Sequence, residues 1–408
     1  MSRFQKPIYL DYHSTTPVDA GVLEAMLPYF TEYYGNSSSR SHPLGWQASE
    51  AVEIARRQVC SLLDVPSEEI FFTSGSTEGL NMAIKGSAEA SYSKGKHIIS
   101  VATEHQAVLD PLMYLSTKGF EITLIPVDHQ GMIDAEKLKA AIRPDTILVI
   151  AMWANNETGV IHDIPVIGKI CNEHRIIFIT DATQAVGKLN VNPKESGVDI
   201  LVLSAHKFYG PKGTGAIWIR SKDKKNQLIP LLHGGGHESG MRAGTLNTPG
   251  IVGLGKACEL MQTERDTEQV RIGRLRDLFE GRVQNELEGV TINGNITNRL
   301  STVSNLKIDF TDSQAVMTKL RTRVAISSGS ACSSANPAPS HVLTAMGLSE
   351  SEAKSSFRIS FGRQTTEEEV IVATTLFIEA INQYRSESPL WLMHKQGIDI
   401  SQASQQEL

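Results

Sequence analysis

Ser204-Ala205-His206-Lys207-Phe208-Tyr209-Gly210-Pro211-Lys212-Gly213-Thr214-Gly215 sets Lys207 directly behind a strand-like run. That run, Asp199-Ile200-Leu201-Val202-Leu203, has the unbroken apolar character of a strand buried on both faces of a parallel sheet. Gly210, Pro211, Gly213 and Gly215 exclude a helix after it. Lys207 therefore stands where open α/β sheets bind ligands, just outside the carboxyl end of a strand.

An isolated loop lysine is by default a solvated charge. A second run changes that reading: Ile176-Ile177-Phe178-Ile179-Thr180-Asp181-Ala182-Thr183-Gln184 is another buried strand, with Asp181 near its carboxyl end. An acid and a lysine at neighbouring strand ends are the two fixed points of a pyridoxal phosphate (PLP) site. The lysine forms the Schiff base, and the acid pairs with the protonated ring nitrogen so that the ring acts as an electron sink.

Working outward, apolar runs recur at 98–101, 122–127, 147–152, 176–180, 199–203 and 215–219, with helical segments between them. A spacing of roughly 25 residues is what βα units give, and predicts a mostly parallel, helix-covered sheet. Polar clusters follow four of the runs: Thr103 to Gln106, Ala154 to Gly159, Asp181 to Gln184 and Ser204 to Lys207. Four clusters at one sheet edge read as a site. Upstream, Phe72-Thr73-Ser74-Gly75-Ser76-Thr77-Glu78 breaks from strand to helix through small hydroxyl residues. Most such clusters are ordinary N-caps, but the unpaired first amides of a helix also receive a phosphate. Neither G-x-G-x-x-G nor a Walker lysine is present, which disfavours dinucleotides and nucleoside triphosphates.

A helix is predicted from about Val18 to Tyr33, followed by the polar loop Gly35 to Pro43, compatible with a turn or a ligand loop. His233 and His237 have zinc-ligand spacing, but the surrounding glycines make a helix there improbable, and metal is set aside. Past Met261 the rhythm stops: a polar helix from Glu264 to Leu287, short strands and a closing helix with a Thr366/Glu369 capping box read as an α+β domain. In Phe357-Arg358-Ile359-Ser360-Phe361, alternation turns Arg358 away from the apolar core, where it is either solvated or a bidentate grip for a carboxylate.

The 408 residues, 40% of them hydrophobic, suffice for one large core and a smaller second domain. A net charge of −6 and the absence of basic runs argue against nucleic acid and anionic lipid. No run approaches a membrane span and no signal peptide opens the sequence, so a soluble cytoplasmic protein is expected. Of the four cysteines, Cys60, Cys171 and Cys258 fall in apolar helical stripes and are expected in the core. Cys332, in Ser327-Ser328-Gly329-Ser330-Ala331-Cys332-Ser333-Ser334, is expected to be exposed.

Taken in order, several motifs resemble those of the cysteine desulfurases of the housekeeping, iron–sulfur cluster type. They are Tyr9-Leu10-Asp11 with Thr15-Thr16-Pro17, Gly35-Asn36, Thr103-Glu104-His105, Asn155-Asn156-Glu157, Asp181-Ala182-x-Gln184, His206-Lys207, His233 through Thr245, Ser327 to Cys332, and Ser388-Pro389-Leu390-Trp391. The similarity spans essentially the whole chain. It implies a PLP-dependent transferase of fold type I, a class V aminotransferase relative, with a mostly parallel seven-stranded α/β sheet. The large PLP-binding domain would be 16–262. Residues 1–15 and 263–408 would form a smaller α+β domain carrying the catalytic cysteine loop. It further implies a homodimer that removes sulfur from L-cysteine, giving L-alanine and a persulfide for iron–sulfur scaffolds or other sulfur acceptors, with no nucleic acid or membrane involved.

Carried over by position, Lys207 would hold PLP, Asp181 would pair with the ring nitrogen, and His105 would stack on the ring and assist proton transfer. Asn156 and Gln184 would contact the ring hydroxyl. Gly75, Thr77, Ser204 and His206 would take the phosphate, with Thr245 of a second subunit. Asn36 and Arg358 would hold the substrate carboxylate, and Cys332 would be the nucleophile. The chain departs from the family pattern at Ser76, Gly79, Leu80, Thr180, Ala205 and Ser239, and Gly79 is expected to loosen the phosphate helix. Rival readings are a selenocysteine lyase, a related class V aminotransferase, or an inactive sulfur-delivery partner. Cys332 speaks against a transaminase, and the retained lysine and aspartate speak against the inactive protein.

Overall fold

The computed structural model describes residues 6–221, 228–328 and 339–398. Two compact units emerge: Ser14–Asn156 with Val160–Glu268, and the described residues up to His13 with Glu157–Gly159 and those from Gln269 on. The chain opens with β1 (Ile8–Tyr9), a strand of the smaller unit.

In the larger unit the helix expected over 18–33 is two pieces, α1 (Ala20–Met26) and α2 (Pro28–Thr31). Pro28 has no amide for the preceding turn, so the helix restarts there. α3 (Pro43–Leu63) begins at His42, whose ring accepts from the Gly45 amide, and stops at Asp64 with φ of 54°. The sheet comprises β2 (Ile70–Thr73), β3 (His97–Val101), β4 (Glu121–Ile125), β5 (Thr146–Ile150), β6 (Ile177–Asp181), β7 (Ile200–Ser204) and β8 (Gly215–Ile219). Their order is β2-β8-β7-β6-β5-β3-β4. The helices α4 (Ser76–Ala90), α5 (Gln106–Ser116), α6 (Ala135–Ala141) and α7 (Ile164–Glu173) connect them.

From β7 across to β4 every pairing is parallel, whereas β8 runs antiparallel to both its neighbours. The reversal follows from length: residues 205–214 are too few for a parallel crossover, which takes about a dozen or more. β3, β5, β6, β7 and β8 are buried at every position, matching their unbroken apolar runs. β4, at the sheet edge, is only partly covered.

α8 (Thr248–Glu286) begins well before the helix expected from Glu264. Glycines that discourage a helix in the sequence are contact points here: a Cβ on Gly253 would stand 2.9 Å from Pro211 Cδ, and one on Gly255 would stand 2.6 Å from Ala55 Cα on α3. The smaller unit then adds β9 (Val290–Ile292), β10 (Val303–Ile308), α9 (Ser313–Leu320), β11 (Val324–Ala325), α10 (His341–Ala345), α11 (Glu350–Lys354), β12 (Ser356–Ser360), α12 (Glu367–Glu387) and α13 (Pro389–Lys395). β12, β10 and β9 form an antiparallel sheet, and β1 pairs with β11. Thr366 and Glu369 form the anticipated capping box on α12. The core of this unit is largely aliphatic but includes Phe279, Phe357, Phe361 and Phe377, with Phe357 edge-on to Phe377 at 5.1 Å between ring centres.

Gly79 has a role that the sequence hides. A Cβ on it would lie 2.7 Å from a methyl of Val202, so the glycine lets α4 seat against β7. Propensity alone predicts that Gly79→Ala stabilises the protein by roughly 1 kcal/mol. The contact predicts the reverse, an overpacked core costing roughly 1–3 kcal/mol. A lower melting temperature for Gly79→Ala supports the close approach; a higher one contradicts it.

Candidate active site

Asp181 closes β6, and Lys207 lies in a tight 3-10 turn, Ala205–Lys207, immediately after β7. These strands are parallel neighbours with Asp181 opposite Val202, so both residues emerge at the same sheet edge. Asp181 is buried, and its Oδ1 accepts from the Thr183 amide at 2.9 Å. Lys207 Nζ donates to the Ser14 carbonyl at 2.8 Å. The turn is braced by Thr16, whose amide and hydroxyl both donate to the His206 carbonyl while its Oγ1 accepts from the Tyr209 amide at 2.8 Å.

Beside this edge α4 begins at Gly75, whose φ of +149° suits glycine. Gly75 offers no side-chain cap to the first-turn amides. A Cβ on Gly75 would stand 3.6 Å from Ser204 Oγ, and one on Gly215 would be 2.8 Å from Gly75 Cα. Position 215 tolerates only glycine in that approach. The acid in the first turn, Glu78, is neutralised by Arg242, whose Nε reaches its Oε1 at 2.8 Å. Thr77 is exposed in the same turn. His206 is half-buried with Nδ1 3.1 Å from Thr15 Oγ1. Burial first, then Lys207, Lys212 and Lys188, push its pKa down to about 4, so the ring is neutral at pH 7.

His105 is the N-cap of α5, and its Nδ1 accepts from the Ala107 amide at 3.0 Å. A neutral ring so bonded carries its proton on Nε2. Behind it Glu104 is fully buried, its Oε1 accepting from the Met152 amide at 2.7 Å. Burial, with the nearby Asp181 charge, raises its pKa to about 8, making it a neutral acid at pH 7. Gln184 is buried and bonded to a lysine absent from the expected set, Lys188, whose Nζ reaches Oε1 at 2.8 Å. Asn156 is half-buried on the loop after β5. Asn36 and Thr245 lie exposed on loops, Asn36 accepting from the Ser38 amide at 2.9 Å.

Arg358, in the smaller unit, is not solvated, which removes one of the two readings of its strand alternation. It is only 4% exposed, and Nη2 pairs with Asp11 Oδ1 at 2.9 Å. The reason is that β12 is covered on both faces. Cys60, Cys171 and Cys258 are buried free thiols, and burial pushes Cys60 up to about 11 and Cys258 higher. Neither Cys60 nor Cys258 is poised as a thiolate. Cys332 lies outside the described residues. Among the described residues no helix is long and apolar enough to cross a membrane.

These groups fit PLP. The uncapped N-terminus of α4, with Ser204 Oγ 3.6 Å from where a Cβ on Gly75 would stand, suits a phosphate. An amine and a carboxylate stand at neighbouring strand ends, where the cofactor needs a covalent anchor and a partner for its ring nitrogen.

The aminotransferase class-V profile matches residues 8–372. The cysteine desulfurase IscS of Anaeromyxobacter dehalogenans strain 2CP-C is 50% identical over 97% of this chain and 98% of its own length. That of Neisseria meningitidis strain FAM18 is 49% identical over 97% of both chains. Among solved structures, a NifS-like protein covers 93% of this chain and 100% of its own with TM-score 0.86 and 34% identity. A structure of SspA in complex with cysteine covers 88% of this chain and 99% of its own with TM-score 0.78 and 38% identity. With these likenesses spanning nearly its full length, the chain belongs to the aminotransferase class-V family and, within it, to the PLP-dependent cysteine desulfurases.

Proposed function

We propose that this enzyme takes sulfur from L-cysteine, releasing L-alanine and leaving a persulfide on Cys332 for iron–sulfur cluster assembly and other sulfur acceptors. The observation carrying the residue assignment is the parallel β6–β7 pair, which presents Asp181 and Lys207 at one edge. A relative solved with cysteine supports the choice of substrate.

When bound, PLP supplies an electron sink for the substrate's α-carbon. Lys207 would anchor it through Nζ, and its amine, when free, would act as the base for the substrate's α-proton. Asp181 keeps the ring nitrogen protonated by pairing with it. The Gly75 turn, Thr77, Ser204 and neutral His206 bind the phosphate, joined by Thr245 of a second subunit. Gln184 and Asn156 would contact the ring hydroxyl, and His105 would stack on the ring and assist proton transfer. Arg358 and Asn36 hold the substrate carboxylate. Cys332 attacks the substrate sulfur as a thiolate: its S–S bond forms as the substrate C–S bond breaks, and the electron pair left on the β-carbon is protonated to give alanine.

The working form is a cytoplasmic homodimer. Leu27, Phe30, Tyr34 and Trp46, on and around α1 to α3, are each more than half exposed, an apolar surface suited to a partner copy.

Cys332→Ser is expected to keep bound PLP and bind L-cysteine while alanine and protein persulfide vanish together, because serine is a far weaker nucleophile. Wild-type alanine production, with mass spectrometry locating the persulfide on another cysteine, would remove Cys332 from the mechanism. Site sharing has its own check, in which a Thr245→Ala protomer is mixed with a Lys207→Ala protomer. The heterodimer then holds one site with both lesions and one with neither, so activity partly recovers. No recovery from verified heterodimers means that each site is built from one chain.

A further inference from the structure

The first turn of α4 carries an anion of its own. Glu78 Oε2 accepts from the Ser74 amide at 3.1 Å, which shapes the turn around Gly75 at the N-terminus assigned above to the phosphate. Arg242 meets that carboxylate with two nitrogens, Nε to Oε1 at 2.8 Å and Nη2 to Oε2 at 3.3 Å. The side chains are 19% and 14% exposed, so water screens the pair only in part. Burial by itself would raise the Glu78 pKa, but the bonds from Arg242 and Ser74 outweigh it and hold the carboxyl below its ordinary value.

We infer that Arg242 is a positioning residue for the cofactor phosphate: it holds the Glu78 carboxylate as half of a neutral pair, so that the turn keeps its shape without repelling the phosphate. The argument is one of charge. An acid in the first turn of a helix suits the macrodipole. A phosphate at the same N-terminus turns that acid into a like-charged neighbour in a partly desolvated place, where repulsion is stronger than in water. A fork-to-fork arginine pair cancels the charge and fixes the carboxylate's direction together. The inference rests on the reading of the α4 N-terminus as the phosphate site.

Arg242 is not the sole anchor of its segment. Four residues earlier, Glu238 pairs with Arg56, Nη2 to Oε1 at 2.8 Å, and accepts from the Phe72 amide at 2.7 Å. Removing the Arg242 charge therefore leaves a second tether between this segment and the start of the sheet.

The test is the affinity of the PLP-free protein for PLP, followed by absorbance, with pyridoxal, which lacks the phosphate, as the control. Arg242→Met is expected to weaken PLP binding about tenfold through the exposed like charge, and to leave pyridoxal binding unchanged. Adding Glu78→Gln, which keeps an acceptor for the Ser74 amide but no charge, restores most of the loss; a merely displaced segment would not be rescued in this way. Unchanged PLP affinity in Arg242→Met, an equal loss for pyridoxal, or no recovery in the double variant overturns the proposal. Thermal melting checks folding. Should Arg242→Met fail to fold, Glu78→Gln alone decides: it leaves the arginine's charge uncancelled beside the phosphate and must bind PLP more tightly than the wild type, and binding that is no tighter overturns the proposal. Failure of the phosphate-site reading looks different, because Thr77→Val and Ser204→Ala would then leave PLP affinity unchanged as well.

Discussion

The parallel pairing of β6 with β7 is the constraint on which the rest depends. Register sets Asp181 opposite Val202, and the turn that follows brings out Lys207 on the same edge. Slipping a strand by one residue would send its side chains to the other face. That register is secured by burial, since β5 to β8 have no exposed position. Gly79 contributes at second hand: by letting α4 lie against Val202, it brings the amides at the start of that helix to the edge that carries Lys207.

Around this edge, burial drives titratable groups towards their neutral forms. Glu104 is raised to about 8, His206 lowered to about 4 and Lys188 lowered to about 7. Desolvation is the leading cause in all three, and mutual charge adds to it: Asp181 acts on Glu104, and Lys207 on both His206 and Lys188. Displaced pKa values cluster at reaction sites, and this cluster lies at the edge where Asp181 and Lys207 emerge.

The sheet was legible because doubly buried strands leave unbroken apolar runs, and β3 to β8 sit where those runs fall. Lys207 and Asp181 were legible for the same reason, as polar residues that end such runs. What the sequence concealed depends on contacts between distant segments. Glycines 253 and 255 discourage a helix until α3 and the turn after β7 are packed against them. Gly79 looks like a weakness until Val202 is placed 2.7 Å from its would-be side chain. Arg358 alternates out of one core, but into a second covered face where Asp11 waits. Lys188 follows Gln184 by one helical turn and shows no motif of its own; only its burial and its bond to the amide oxygen single it out.

The central claim is that Lys207, and not the neighbouring buried amine Lys188, carries the cofactor. Borohydride reduction of the PLP-loaded protein followed by peptide mapping tests it most directly, because reduction fixes the cofactor to whichever lysine holds it. The account predicts a pyridoxyl group on the peptide containing Lys207 and an unmodified Lys188. A label on Lys188, or on any other lysine with Lys207 unmodified, would contradict it.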